Sequence, residues 1–323
     1  MTSQLLPAAT LSVVVPVRNR ASIVCRTLNS IYSQTLRPLN LIIVDSASTD
    51  TTLEVITDWA DTHRSPDFRI KVVSLDRPGA AVARNAGLEA VDTPFVLFFD
   101  SDDEMLPPHL QSLTRAIDEH PDANLFYFDV AVIDPDGWTS VKSRRHHDLK
   151  ALQILHCPLS TACYVVSTEI LRQAGGWNEQ LHTWDDLELG LRLLLHSEIR
   201  PVRIEGAPTV WVHPEEESLT GTSMSAKVAY HALALDAIDK LTAPVQSEKL
   251  SMIVHARRLI MASLYRREGN EEAALTILQP IEHRRLRVST AMKMGLIYTI
   301  NRLTGHGGSY LALHWFAEKA PKC

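Results

Sequence analysis

Three carboxylates crowd into four consecutive positions at Asp100, Asp102 and Asp103, at the end of the apolar run TPFVLFFD over 93–100. Like charges packed this closely repel unless a cation neutralises them. An extended backbone aims Asp100 and Asp102 the same way, and a turn after Asp100 brings all three together. Hard oxygen ligands at a partly open site suit Mg²⁺ or Mn²⁺, with substrate phosphates completing the shell. The competing reading is that these aspartates cap a helix starting near Pro107, although one aspartate suffices for that.

A second polar group, DSASTDTT, follows the apolar run LNLIIVD at 39–45. Asp50 or Ser48 is a natural cap for the next helix. Asp45, at the strand terminus, could instead accept hydrogen bonds from a base or ribose. The segment from Arg77 to Gly87 offers a flexible loop at Gly79, a helix start and a cation, Arg84, and anions favour helix N-termini. Further on, Trp184-Asp185-Asp186-Leu187-Glu188 opens a helix that buries Leu187, Leu191, Leu194 and Leu195. Carboxylates in a first turn are favoured by the helix dipole alone. Two behind a tryptophan could also place one as a general base.

These groups need a frame that holds them together. Apolar runs at 11–17, 39–45, 68–75 and 93–100 alternate with segments of helical spacing near 21–35, 50–62, 79–92 and 107–119. The runs are continuous enough to predict strands buried on both faces, hence βαβ units and a mainly parallel sheet covered by helices. In such sheets ligands bind beyond the carboxyl ends of the strands, where Arg18–Asn19, Asp45–Ser46 and Asp100–Asp103 fall. Residues 124–134, a turn at 134–137 and strands at 161–167 and 208–213 predict a mixed extension of the sheet. The uncharged stretch 151–168 has about the length of a membrane span but too many polar residues, and reads as buried core.

From Ser223 onward no strand pattern remains, and 224–241, 247–268, 271–283 and 289–303 read as helices. A domain boundary is expected near 216–222, giving a catalytic part over 1–220 and a helical part over 221–323. Residues 256–281 form one helix–Gly–helix hairpin of tetratricopeptide-like character. Residues 283–316 combine basic side chains with an apolar face ending in aromatics, so they suit either an anionic membrane surface or packing on the catalytic part or a second subunit of a homodimer.

With 323 residues and 45% hydrophobic composition the chain can bury a large core. A net charge of -6 leaves no basic footprint for nucleic acid. The four cysteines, Cys25, Cys157, Cys163 and Cys323, have neither zinc-site spacing nor disulfide-scaffold density, and the first ten residues carry no Lys or Arg. A cytoplasmic location is the expectation, with peripheral attachment at the inner membrane face as its variant.

The succession VVVPVRNR, NLIIVDSASTDTT, GAAVARNAG, FFDSDDEMLP, AGGWNE, WDDLELGLRL and VWVHPEEESLTG resembles the family 2 glycosyltransferases over roughly residues 11–220. The resemblance implies a GT-A fold and an inverting, metal-dependent transfer from a nucleoside-diphosphate sugar, a UDP-sugar by the usual family preference. The acceptor would be a glycan or lipid-linked hydroxyl, as in polysaccharide precursors. It also implies that Pro16, Val17, Arg18, Asn19 and Asp45 help hold the nucleotide. Asp100, Ser101 and Asp102 form the aspartate-x-aspartate motif, with Asp100 near the ribose and Asp102 on the metal. Asp186 matches the base, Asp185 and Trp184 flank it on the substrate, and His213 matches a histidine that approaches metal or diphosphate. Gly79 and Arg84 join the donor site.

Two departures fall beside the base pocket: Ser46 stands where a second aspartate is common, and Arg18 where an aromatic is common. Asp185 replaces the commoner glutamate. A nucleotidyltransferase would want a Gly-rich phosphate loop after the first strand and a dehydrogenase G-x-G-x-x-G, and Pro16-Val17-Arg18-Asn19-Arg20 is neither. A non-catalytic sugar-nucleotide-binding scaffold would not need a general base, so keeping both Asp102 and Asp186 speaks against it.

Overall fold

The computed structural model describes residues 9–133, 137, 139–142, 145–214, 224–281 and 286–319. In chain order the elements are β1 (Leu11–Val17), α1 (Val24–Tyr32), β2 (Leu39–Ser46), α2 (Thr52–His63), β3 (Phe68–Leu75), α3 (Ala80–Ala90), β4 (Phe95–Phe98), β5 (Glu104–Met105), α4 (His109–Glu119), β6 (Leu125–Tyr127), β7 (Val130–Ile133) and β8 (Thr139–Lys142). Then follow α5 (Leu149–His156), β9 (Tyr164–Ser167), α6 (Thr168–Gln173), α7 (Asp185–Leu195), β10 (Pro201–Arg203), β11 (Val210–Val212), α8 (Val228–Thr242), α9 (Glu248–Arg267), α10 (Glu271–Leu278), α11 (Val288–Thr304) and α12 (Gly308–Phe316).

These form two compact units interleaved in sequence. The first comprises 1–143, 159–182 and 196–214, the second 144–158, 183–195 and 215–323. The boundary expected near 216–222 lies outside the described residues, as does most of the turn at 134–137. A single cut there would leave α5 and α7 with the strands; the compact units place both with the C-terminal helices. Their apolar faces are the reason: Leu152, Leu155, Leu187 and Leu191 share one core with Ile253, Ile260, Ile297 and Phe316. The stretch 151–168 is buried core, as read, but it is divided between the two units at 158/159.

In the first unit a seven-stranded mixed sheet runs β10-β6-β9-β4-β1-β2-β3. Strands β4, β1, β2 and β3 are mutually parallel, and β9 is antiparallel to both β4 and β6. β2 is buried along its whole length, because helices cover both faces of a central parallel strand. β3 departs from the two-sided expectation. It is the edge strand, and FRIKVVSL exposes Arg69 and Lys71, charges that blunt an open edge. The chain leaves β1 toward β2 on one side and returns from β3 to β4 on the other, so β1 is a topological switch point. Helix α3 lies against β1 and β2 closely enough that a Cβ at Gly87 would sit 2.3 Å from Val14 Cγ1.

The expected single extension over 124–134 is instead two strands in two sheets. β6 joins the large sheet, while β7 belongs to a four-stranded sheet in the order β5-β11-β7-β8. The break falls at Phe128–Asp129, where the Phe128 N–H donates to the Cys163 carbonyl at 3.0 Å and Asp129 pairs with Arg203 at 2.6 Å.

The second unit is helical. Gly269, at φ 79°, ends α9, and Asn270 caps α10 by accepting from the Ala273 N–H at 2.9 Å, which makes the predicted hairpin. Arg258, 1% exposed, is held by Asp236 at 2.7 Å and Asp239 at 2.5 Å, so this buried guanidinium is answered by two carboxylates that themselves keep contact with solvent. Among the described residues no helix is long and apolar enough to cross a membrane.

Candidate active site

The parallel strands deliver their polar residues to one edge of the sheet. Val17 stands opposite Asp45, and Asp45 opposite Ser74, so the loops after β1, β2 and β3 start side by side. They are laced together. The Asn19 N–H donates to Ser48 Oγ at 3.0 Å, Asn19 Oδ1 accepts from the Thr49 N–H at 2.8 Å, and the Arg20 N–H donates to Thr52 Oγ1 at 2.8 Å. Asn19 and Ala47 take left-handed backbone at φ 50° and 53°, as such tight loops require. Asp50 accepts from the N–H and hydroxyl of Thr52, which hold its carboxyl below the ordinary range.

Ser46, where a second aspartate is common, ties this edge to α3. Its Oγ accepts from the Gly79 N–H at 2.9 Å and donates to the Gly79 carbonyl at 3.2 Å. Gly79 adopts φ 148°, and a Cβ there would lie 3.0 Å from Val82 Cγ2. Arg18 donates to the Ser46 carbonyl at 3.0 Å. Both departures from the family pattern therefore meet in one local contact.

Asp45 is 2% exposed. Its Oδ2 accepts from the Ser48 N–H at 3.2 Å, while Oδ1 is buried without a hydrogen-bond partner. A buried carboxylate oxygen left unpaired is costly, so this one is an acceptor waiting for a donor that the described polypeptide does not supply.

The aspartates after β4 do not cap α4: that helix begins after Pro108 without a side-chain cap, and β5 intervenes. Each faces a different neighbour. Asp100 pairs with Arg84 at 3.3 Å, and the Arg84 guanidinium carbon lies 5.8 Å from the centroid of Trp177. Asp102 Oδ2 lies 3.7 Å from Arg20 Nη2. Asp103 is buried and accepts from the His213 N–H at 3.1 Å. Burial, reinforced by the charges of Asp100 and Asp102, pushes the Asp103 carboxyl up to about 8. The turn is pinned beneath by Thr27, whose hydroxyl donates to the Asp103 carbonyl at 2.7 Å, and by Arg26 on the Asp102 carbonyl.

Crowding that keeps one carboxyl protonated is what a divalent cation would relieve, and half-exposed Asp102 supplies a hard oxygen donor. The residues therefore fit such an ion held mainly by Asp102 with substrate oxygens. His213 reaches the cluster through its backbone, but its Nε2 lies 2.9 Å from Glu104 Oε1. Among the described residues no three His, Cys, Asp or Glu side chains group to hold a metal by themselves.

The AGGWNE segment works from behind. Asn85 of α3 donates to the Trp177 carbonyl at 2.9 Å and accepts from its N–H at 2.8 Å, and a Cβ at Gly176 would sit 2.5 Å from Asn85 Oδ1. Glu179 joins Asn85 and, at 2.7 Å, Arg77. Thus Trp177 is placed beside Arg84.

Trp184, Asp185 and Asp186 belong to the second unit. Asp185 and Asp186 occupy the first turn of α7, half-buried, with Leu187, Leu191 and Leu194 buried as expected and Leu195 only partly so. Gln153 of α5, fully buried, donates to the carbonyls of Asp186 at 3.1 Å and Leu187 at 3.3 Å. Glu188 is clamped by Arg192 at 2.6 and 2.9 Å.

The structure thus gathers Pro16, Val17, Arg18, Asn19, Asp45, Gly79, Arg84, Asp100, Ser101, Asp102 and His213 in one unit. Sequence reasoning missed Arg20, Asn85, Trp177 and Glu104. For Arg20 the signal was present, since VRNR carries two arginines; the nearer one bonds a carbonyl and the farther one faces Asp102.

The family model described as "Glycosyl transferase family 2" matches residues 12–174. The glycosyltransferase YibD of Escherichia coli, itself described as uncharacterized, is 31% identical over 113 residues, covering 35% of this chain and 32% of its own length. The matched part spans between 15% and 65% of the length of such curated relatives, and about a third in most of them. Among solved structures, TarS 1–349 of S. aureus in complex with UDP-GlcNAc superposes with a TM-score of 0.60 at 17% identity, covering 86% of this chain and 93% of that one. Mannosyltransferase PcManGT of Pyrobaculum calidifontis, in complex with GDP-Man and Mn²⁺, superposes with a TM-score of 0.57 at 19% identity, covering 96% and 89%. At such identities the likeness shows a shared fold.

Proposed function

The chain belongs to glycosyl transferase family 2, and from that premise we propose that it moves a sugar, with inversion, from a nucleoside-diphosphate sugar to an acceptor hydroxyl. The observation that carries the reading is the buried, unpartnered Oδ1 of Asp45 at the switch point, on the same sheet edge as the acidic turn at Asp100–Asp103. An acceptor aimed out of a strand end suits the N–H of a base or the hydroxyl of a ribose. A UDP-sugar is the donor proposed, and a glycan or lipid-linked hydroxyl, such as a polysaccharide precursor, the acceptor.

Each residue then has a task. Asp45 fixes the nucleoside, with Asp100 near the ribose, held by Arg84. Asp102, with His213 as a second donor, would hold Mn²⁺ or Mg²⁺. Such an ion, when bound, neutralises the charge that grows on the departing diphosphate. Arg20 adds a fixed positive charge beside Asp102 for the same leaving group. Asp186 takes the proton of the acceptor hydroxyl as that oxygen attacks the anomeric carbon. Attack opposite the leaving group inverts that carbon, and no covalent sugar–protein step is needed.

The test is thermal melting with UDP-, GDP- and dTDP-sugars, with and without Mn²⁺. UDP-GlcNAc and GDP-Man come first, because they are bound in the neighbouring structures. A donor at 100 times its dissociation constant should stabilise the native protein by about 2.7 kcal/mol. Asp45→Ala should abolish the shift while relieving an unpaired buried oxygen, so its own melting should not fall. No shift with any donor would overturn the reading.

The apolar face of α11 supports one extension of it. Val288, Met292 and Leu303 are 78%, 71% and 74% exposed. Between Glu282 and Glu318 the sequence has no Asp or Glu, but has Arg284, Arg285, Arg287, Lys293 and Arg302, of which Arg284 and Arg285 lie outside the described residues. A surface both apolar and cationic suits an anionic membrane, where lipid-linked acceptors are found. Co-sedimentation with anionic lipid vesicles is expected at low salt, weaker at high salt and lost in Met292→Asp/Leu303→Asp. Protein that stays in the supernatant at low salt rules the membrane out.

A further inference from the structure

The residue before α7 has a strained backbone. Trp184 adopts φ 58°, a left-handed conformation in which a bulky side chain persists only when its surroundings over-determine it. Those surroundings come from α8 and α9. The His231 ring stacks on the indole, with centroids 4.3 Å apart and 25° between planes. The Arg257 guanidinium carbon lies 4.4 Å from the centroid of the same indole.

Both groups are themselves held. His231 Nδ1 lies 2.6 Å from the Tyr265 hydroxyl, and Arg257 Nη1 donates to the Leu155 carbonyl of α5 at 3.0 Å. Burial, with the nearby charges of Arg257 and Lys227, lowers His231 to about 4, so a neutral imidazole covers the indole. Burial lowers Arg257 to about 10, which leaves it cationic at neutral pH. Among the described residues no carboxylate pairs with Arg257, and its Nε has no hydrogen-bond partner. A desolvated cation without a counterion is costly, and stacking on a tryptophan face is the compensation this arrangement gives it. Downstream, the Trp184 carbonyl accepts the Glu188 N–H at 3.1 Å, so the gripped residue is the one that starts the helix.

We propose that Arg257 and His231 are positioning residues: by gripping Trp184 in its left-handed conformation they fix the first turn of α7, and with it the direction of the Asp186 carboxylate. The proposal rests on Asp186 being the general base. It gives helices α8 and α9, beyond the residues the family model matches, a part in proton transfer. Misplacing a reacting group by about 1 Å can cost 10²-fold in rate, whereas the donor site on the other unit is untouched.

The test follows nucleoside-diphosphate release from UDP-GlcNAc and GDP-Man with Mn²⁺, using whichever is turned over faster. Arg257→Met is expected to lower kcat by about 10- to 100-fold with donor KM within about twofold, and Arg257→Lys to recover most of the loss. In a Trp184→Gly background, where glycine takes φ 58° without penalty, Arg257→Met should change kcat by less than about twofold. If Arg257→Met melts below the assay temperature, His231→Ala is compared in the same two backgrounds. Unchanged kcat in a folded Arg257→Met, or the same loss in both backgrounds, overturns the proposal while loss of turnover in Asp186→Asn leaves the base standing. Full turnover in Asp186→Asn overturns both.

Discussion

Replacing Asp186 by asparagine is expected to lower turnover by about 10²- to 10⁴-fold, the usual contribution of a general base, while donor affinity stays as in the wild type. The amide keeps the size of the side chain and its place in the first turn of α7 but cannot take a proton. The backbone should not move, because the Asp186 carbonyl, held by buried Gln153, is unchanged. Asp185→Asn should be milder, since its neighbour would retain the proton-accepting role. Rates of nucleotide release at saturating donor, with binding measured separately by calorimetry, distinguish the two. A larger loss in Asp185→Asn would move the base to Asp185.

Asp102→Ala is expected to remove the Mn²⁺-dependent part of donor affinity, by at least about 100-fold, since even residues one step removed from a metal change its affinity 10- to 100-fold. The fold should survive. Asp102 is partly exposed and its ion pair with Arg20, at 3.7 Å, is long. The turn itself is pinned by backbone carbonyls, through Thr27 and Arg26, rather than by the Asp102 carboxylate. Calorimetric titration of donor with and without Mn²⁺ reads the effect directly. Equal metal-dependent gains in wild type and variant would place the cation elsewhere.

Much of the first unit was legible because its signals are local. LSVVVPV and LNLIIVD can only be central strands, and FFDSDD announces concentrated charge at a strand end. β3 was read less well, since an edge strand and a central one differ mainly in what lies beside them. The division of 124–134 between two sheets was not legible either. Val130–Ile133 and Leu125–Tyr127 have the same strand character, and their sheet is chosen by β11 and β9, far along the chain.

The sequence by itself determined the alternation of strand and helix, the placing of Asp45 and Asp100–Asp103 at strand ends, and the acidic first turn of α7. These depend on residue type and spacing within a few positions. Tertiary structure alone decided which charge answers which. Arg20 rather than Arg18 faces Asp102, Arg84 is taken up by Asp100, Asp103 is buried until its carboxyl holds a proton near neutrality, and Trp184 is gripped by His231 and Arg257. It also decided that α5 and α7 fold with the C-terminal helices. The physical reason is the same in each case: burial, ion pairing and strain are set by neighbours in space, and His213 meets Asp103 across 110 residues of chain.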